Sequence, residues 1–246
     1  VNARMSDKTV EFWEKWPRTA RYLFDVFTLI VTQNDAMARN MIRMHAPADR
    51  VSPGVNLKSM AGPLPVDAQA LASARTALGG RAVWVASSTH EGEERSVLDA
   101  HKKLLREIPD LCLILAPRHP ERGDAVEALV QAAGLTVQRR SRGDAPGGQV
   151  YLADTLGELG LWYSLSDVVF LGGSLLPIGG HNPFEVAQSG AAVLSGNHVA
   201  AFAETYAQLE AEGAARIVAD GDDLAARVAA LLTKPDELAT MTAAAA

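Results

Sequence analysis

What most constrains the fold of this chain is an alternation. Short continuous apolar runs recur along it, separated by amphipathic stretches of helical length. The runs at 29–32, 82–87, 111–116, 136–139, 150–152, 168–171, 191–194 and 216–218 are predicted strands. The stretches at 91–107, 125–133, 156–164, 183–189, 200–212 and 224–232 are predicted helices. Val97, Leu98, His101, Leu104 and Leu105 fall on one face at helical spacing. Strands with no polar alternation must be covered on both faces, so the pattern predicts an α/β fold, a Rossmann-like doubly wound parallel sheet. Pro53-Gly54 and Gly62-Pro63-Leu64-Pro65 punctuate it. Residues 59–65 therefore read as a linker between a short piece, 1–58, and a nearly complete domain, 66–246. A piece as short as 1–58 cannot easily make its own sheet core.

Composition narrows the class. Hydrophobic residues make up 48% of the chain, ample for a packed core, and the net charge of −6 argues against a nucleic-acid partner. The single cysteine, Cys112, lies inside an apolar run and excludes a disulfide framework. No apolar run approaches the length of a membrane span, about 18 residues. The chain opens Val1-Asn2-Ala3-Arg4 without an initiator Met and stops inside a helical pattern, so it reads as a soluble fragment.

Ligands of open α/β sheets bind outside the carboxyl ends of the strands. Three predicted strand ends here carry polar clusters: Ser87-Ser88-Thr89-His90, then Pro117-Arg118-His119-Pro120, then the loop from Gly172 to Glu185. In that loop Gly172, Gly173, Gly179 and Gly180 let the backbone approach a ligand, and Asn182-Pro183-x-Glu185 opens a predicted helix. The loop therefore reads as a phosphate or nucleotide-sugar cradle. Asn182 and Glu185 also fit a capping box, which explains those two residues without a ligand. Ser87 and Ser88 are candidate phosphate contacts or helix caps. Arg118 between strand end and prolines suits anion recognition, with His119 beside it.

Other clusters read as structural. His45, His90 and His101 are isolated, and His90 with Glu93 and Glu94 is too local for a metal site. Arg139-Arg140-Ser141-Arg142 reads as a solvated loop face, and Asp222 and Asp223 as caps before Leu224. The aromatics Phe12, Trp13, Trp16, Tyr22 and Phe24 suit packing on a neighbour or a membrane interface. An incomplete sheet in 1–58 leaves open edges, and self-association through that segment is expected.

With these residues in view, the chain resembles the bacterial Kdo transferases, which move the acidic sugar Kdo from CMP-Kdo to lipid A precursors in lipopolysaccharide assembly. The resemblance rests on Trp84 to Glu94 (WVASSTHEGEE), Pro117 to Arg122 (PRHPER), Leu152 to Gly160 (LADTLGELG) and Gly172 to Glu185, in family order. Val1 to Ser6 and Asn56-Leu57-Lys58 resemble the late part of the family's N-terminal domain. The resemblance implies a GT-B fold, with 1–58 a remnant of the acceptor domain and 66–246 the donor domain. It implies an inverting glycosyltransferase at the cytoplasmic face of the inner membrane, with CMP-Kdo or CMP and a lipid A precursor as partners. Its expected donor contacts are Ser87, Ser88, Arg118, His119, Gly173, Ser174, Gly180, Asn182 and Glu185. Neither cofactor nor metal is implied, because CMP carries one phosphate that Arg118 and backbone dipoles can meet. The family's catalytic glutamate is not found here, so this chain is expected to bind donor without transfer. Alternatives at this stage are a UDP-sugar transferase or epimerase of the same fold, or a non-catalytic nucleotide-sugar-binding module.

Overall fold

A computed structural model describes residues 3, 5, 7–54, 62 and 64–245. The segment Asn56-Leu57-Lys58, most of the 59–65 linker, and Val1, Asn2, Arg4 and Ser6 of the opening motif lie outside the described residues. The chain divides into two compact units, Val1–Gly62 and Pro63–Ala246.

In the first unit, helices α1 (Asp7–Glu14), α2 (Pro17–Phe24) and α3 (Asp35–Arg43) accompany two short parallel strands, β1 (Ile30–Val31) and β2 (Val51–Ser52). Asn34 caps α3, its side-chain oxygen accepting from the Met37 N–H at 2.8 Å. Val10, Ile30, Met41, Met44 and Ala46 form a small core, and Trp13 and Phe24 pack against it. Those two aromatics are therefore covered from within the unit. Phe12, Trp16 and Tyr22 stay exposed. Among the described residues no helix is long and apolar enough to cross a membrane.

The second unit is a seven-stranded, all-parallel sheet. Its strands are β3 (Val83–Thr89), β4 (Cys112–Pro117), β5 (Val137–Arg139), β6 (Val150–Leu152), β7 (Val168–Leu171), β8 (Ala192–Gly196) and β9 (Ala215–Val218). Their spatial order is β5-β6-β4-β3-β7-β8-β9. The order runs one way from β3 through β4 and the other way from β3 through β7. The switch point thus lies between the carboxyl ends of β3 and β7.

Alternation along the buried strands builds a core on each face. Trp84, Ala86, Leu113, Leu115 and Phe170 face α5 (Glu93–Glu107), α6 (Gly123–Ala132), α10 (Gly221–Thr233) and α11 (Pro235–Ala245). Val85, Ile114, Tyr151, Val169 and Val193 face α4 (Ala68–Leu78), α7 (Leu159–Tyr163), α8 (Phe184–Ala187) and α9 (Ala203–Glu212). Two expected caps move. Asp220 caps α10, accepting from the Asp222 and Asp223 N–H groups, so those two acids occupy the first turn instead. Their charge there favours the dipole, and Asp223 also accepts from the Ala219 N–H at 3.0 Å, a return bond across the cap.

The arginine run is not a solvated face. Arg139 pairs with Asp154 at 2.6 Å, with Glu127 at 3.0 Å and with Asp124, while Arg142 pairs with Glu127 and Arg140 with Glu158. Three arginines in sequence meet acids brought from α6 and from the segments after β6, a fact that only the tertiary fold supplies.

His101 holds the Trp84 face of the sheet. Its Nδ1 accepts from the Trp84 indole N–H at 3.1 Å, and its Nε2 lies 2.8 Å from the Gln149 carbonyl. An acceptor Nδ1 and a donor Nε2 define the neutral ring. Burial pushes the imidazole down to about 4 from 6.5. This lowered value means a stability contribution that is intact above pH 6.5 and lost as pH falls towards 4. Between those limits the loss should reach about 3 kcal/mol, at 1.36 kcal/mol per pH unit. Denaturant unfolding of the wild type and of His101→Gln at both ends of that range checks it. The wild type is expected to lose more stability on acidification than the variant.

Candidate functional site

The three predicted polar clusters follow β4, β3 and β7, which are neighbours in the sheet. They therefore meet at one edge, over the switch point. The β3 end is irregular: its register with β4 shifts between Ser87 and Thr89, and Ser88 sits at φ +54°. The bulge lifts Ser88 out of the ladder and turns the chain towards His90.

A carboxylate organises the edge. Glu93, in the first turn of α5, is fully buried. One of its oxygens accepts from the Gly173 N–H at 2.6 Å and the His90 N–H at 3.0 Å. The other accepts from the Ser174 and Leu175 N–H groups, both at 2.8 Å. The Gly173, Ser174 and Leu175 N–H groups of the glycine loop are thus occupied by an internal anion. Glu93 takes the N–H groups at the start of the loop that the sequence reading offered to a phosphate. Nor does a long helix dipole point there, since α8 spans four residues.

Further expected contacts are consumed by the fold. The Ser87 hydroxyl is buried and hydrogen-bonds the Tyr163 hydroxyl at 2.9 Å. The buried Ser174 hydroxyl donates to the Leu171 carbonyl at 2.7 Å and accepts from the Gly196 N–H at 2.8 Å. Both hydroxyls are thus engaged within the protein and support the edge from below. The Gly180 N–H donates to the Gly173 carbonyl at 2.8 Å, closing the loop on itself. Both glycines have positive φ. A Cβ on Gly173 would come within 2.8 Å of the His181 ring, and one on Gly180 within 3.0 Å of Val199 Cα. These glycines make room for protein.

Asn182 accepts from the Phe184 N–H at 3.2 Å, a capping bond just before α8. Among the described residues, no bond returns from Glu185 to close the capping box, and Glu185 remains half-buried with its carboxylate free. Its charge adds to burial in pushing the Tyr163 phenol up. Ser88, Arg118, His119, Asn182 and Glu185 thus keep groups that a ligand could reach. Arg118 and His119 are exposed.

Two histidines complete the edge, and sequence reasoning set one of them, His90, aside as structural. The His90 and His181 Nε2 atoms lie 2.9 Å apart, with the rings nearly parallel. His119 stands edge-on to His90 at 5.7 Å between centroids. Burial, then the charges of His90 and Arg118, lower His181 to about 4. Burial also lowers His90, opposed by Glu93 and aided by His119 and Arg118. Glu93 and Glu94, expected to be exposed, are both buried, and Arg122 neutralises Glu94 at 2.5 Å. The signal that could have revealed Glu93 is its place one turn beyond a strand end, next to the strand that feeds the glycine loop. Among the described residues no His, Cys, Asp and Glu group of metal-binding size occurs.

Glu93→Gln would replace one accepting oxygen by an amide donor aimed at two backbone N–H groups. Leaving buried donors unpaired costs about 1–3 kcal/mol each. Urea unfolding of the variant should show a loss of about 2–4 kcal/mol. A change under about 1 kcal/mol would show that the carboxylate does not hold the loop.

Comparison with known proteins agrees with this architecture. Residues 1–61 match the family model described as 3-deoxy-D-manno-octulosonic-acid transferase (kdotransferase). The 3-deoxy-D-manno-octulosonic acid transferase of Haemophilus influenzae is 33% identical over 240 residues, 96% of this chain and 56% of that protein. The chain thus spans about half the length of the curated relatives it matches. Among solved structures, the C-terminal CMP-Kdo binding domain of WaaA from Acinetobacter baumannii is 36% identical. That match covers 72% of this chain and 94% of that domain, with a TM-score of 0.68. A UDP-N-acetylglucosamine 2-epimerase, 15% identical, matches with a TM-score of 0.60 over 99% of this chain and 58% of that one, which concerns the fold alone. On the combined sequence and structural likeness, this Rossmann-like GT-B chain belongs to the Kdo transferase family.

Proposed function

We propose that the second unit binds CMP-Kdo, as the donor half of an inverting glycosyltransferase that passes Kdo to a lipid A precursor at the cytoplasmic face of the inner membrane. The observation that carries this reading is the 36% identity to a CMP-Kdo binding domain, matched over 94% of its length. The edge over the switch point supports it chemically. Arg118 offers a fixed positive charge and a planar donor fork to a single phosphate. Glu185, left out of a capping bond, is placed to accept from ribose hydroxyls. Ser88, His119 and Asn182 complete the set of reachable polar groups. The Gly173 and Gly180 contribution is steric, through the loop shape they allow.

In the transfer reaction a carboxylate base removes the acceptor hydroxyl proton, the oxygen attacks the anomeric carbon, and CMP departs with the bonding pair. Charge then develops on the leaving phosphate, where Arg118 stabilises it.

Calorimetry with CMP tests the reading. Arg118→Ala should weaken binding by about 1.5–3 kcal/mol, the range for a hydrogen bond to a charged group. UDP should compete poorly. Unchanged CMP affinity in the variant would remove Arg118 from the site, and tighter binding of UDP than CMP would favour the UDP-sugar alternative.

A further inference from the structure

The His90–His181 bridge has a property that a single histidine lacks. Two Nε2 atoms 2.9 Å apart leave room for one hydrogen between them. In the neutral pair, one ring donates that hydrogen and the other accepts it. An added proton can go to the free Nδ1 of the donor ring, which keeps the bridge and turns it into a charge-assisted bond. A second proton would place N–H against N–H and break it. The intact pair therefore holds either no charge or one.

The surroundings set which. Arg118 and His119 press on the pair from the β4 end, and both disfavour a charge there. Glu93 and Glu94 on α5 favour one. Yet the Glu93 oxygens are shared among four backbone N–H groups, and Glu94 is paired with Arg122. From α9, Tyr206 reaches only the His181 carbonyl, at 3.3 Å. Burial and the Arg118 charge thus favour the neutral pair in the free protein, and neither opposing carboxylate is unengaged. An oxyanion beside Arg118 would reverse the balance by neutralising the guanidinium and adding its own field.

We propose that the His90–His181 pair is a proton-accepting anion contact, taking up one proton when a phosphate group of the ligand enters beside Arg118. The inference deepens the donor-binding reading and rests on it for the identity of the anion. It gives the site a second positive charge only while an anion is present. The internal Glu93 carboxylate makes this useful, because the backbone donors that would otherwise meet a phosphate are already engaged.

The test follows the ring nitrogens by NMR in nitrogen-15-labelled protein, titrated from about pH 8 to about pH 3, which covers the lowered range of these imidazoles. It is done free, with saturating sulfate, and with saturating CMP. Sulfate does not titrate in this range. The CMP phosphate does, so proton uptake is read at the imidazoles and not from affinity. The expected result is a rise of at least about one pH unit in a single shared midpoint, equivalent to a tenfold change in proton affinity. His181→Gln should abolish that rise at His90. CMP binding, seen at other resonances, with unmoved His90 and His181 midpoints would overturn the inference and leave donor binding standing. A rise with sulfate but no response to CMP would support the pair and overturn the nucleotide reading. Two independent protonations, or no response to either anion, would overturn the shared-proton pair.

Discussion

The buried Glu93 carboxylate is the interaction on which the edge over the switch point depends. It joins the first turn of α5 to the loop after β7 and to the turn after β3, through four backbone donors. Those three segments flank the switch point, so one side chain fixes the relative placement of everything mounted on them. Placing a carboxylate out of water is costly unless its lone pairs are met. Here they are met by N–H groups that a tight glycine loop would otherwise leave unpaired. The same bonds settle both debts, and the loop needs no ligand to be complete.

Around that anchor the loop is assembled by exclusion. Gly173 has no Cβ because His181 occupies the space, and Gly180 has none because Val199 does. Ser174 ties the loop to the end of β8 through Gly196, while Ser87 closes the floor with Tyr163. The floor is thus buried and self-satisfied, and the reachable polar groups lie above it on Ser88, Arg118, His119 and Glu185. A rigid floor with mobile-ended side chains above it is a reasonable division of labour for a ligand edge. Packed backbone supplies position, and side chains supply chemistry.

Much of the second unit was legible because its strands are continuous apolar runs: β6 and β7 coincide with the predicted 150–152 and 168–171. The meeting of three polar clusters at one edge followed from the same pattern. Helices α1, α2, α3 and α4 were missed, because each buries only a narrow stripe, and of α11 only a helical pattern at the chain's end was read. The serine hydroxyls were illegible for a different reason. Sequence shows that a residue is polar and near a strand end, but not whether its hydroxyl is already spent. Ser87 needed Tyr163, which lies 76 residues away. The arginine run failed likewise, since its acids arrive from separate elements.

The glycine loop carries the larger lesson about function. A strand, a glycine-rich turn and a short helix form an anion-binding concavity, and the loop does bind an anion, one supplied by its own chain. What the motif reports is a set of converging N–H groups, and those can serve either a ligand or the fold. When the fold takes them, recognition of a phosphate must rest on side chains. That transfers the burden to Arg118 and to the imidazoles, whose charge can respond to what is bound, whereas backbone dipoles cannot. Under the donor-binding proposal, an anion at this edge would meet a permanent charge on Arg118 and a conditional one on the His90–His181 bridge. The Glu93 bonds thus leave Arg118 and the two imidazoles, and not the backbone of Gly173, Ser174 and Leu175, as the groups at this edge with capacity to spare.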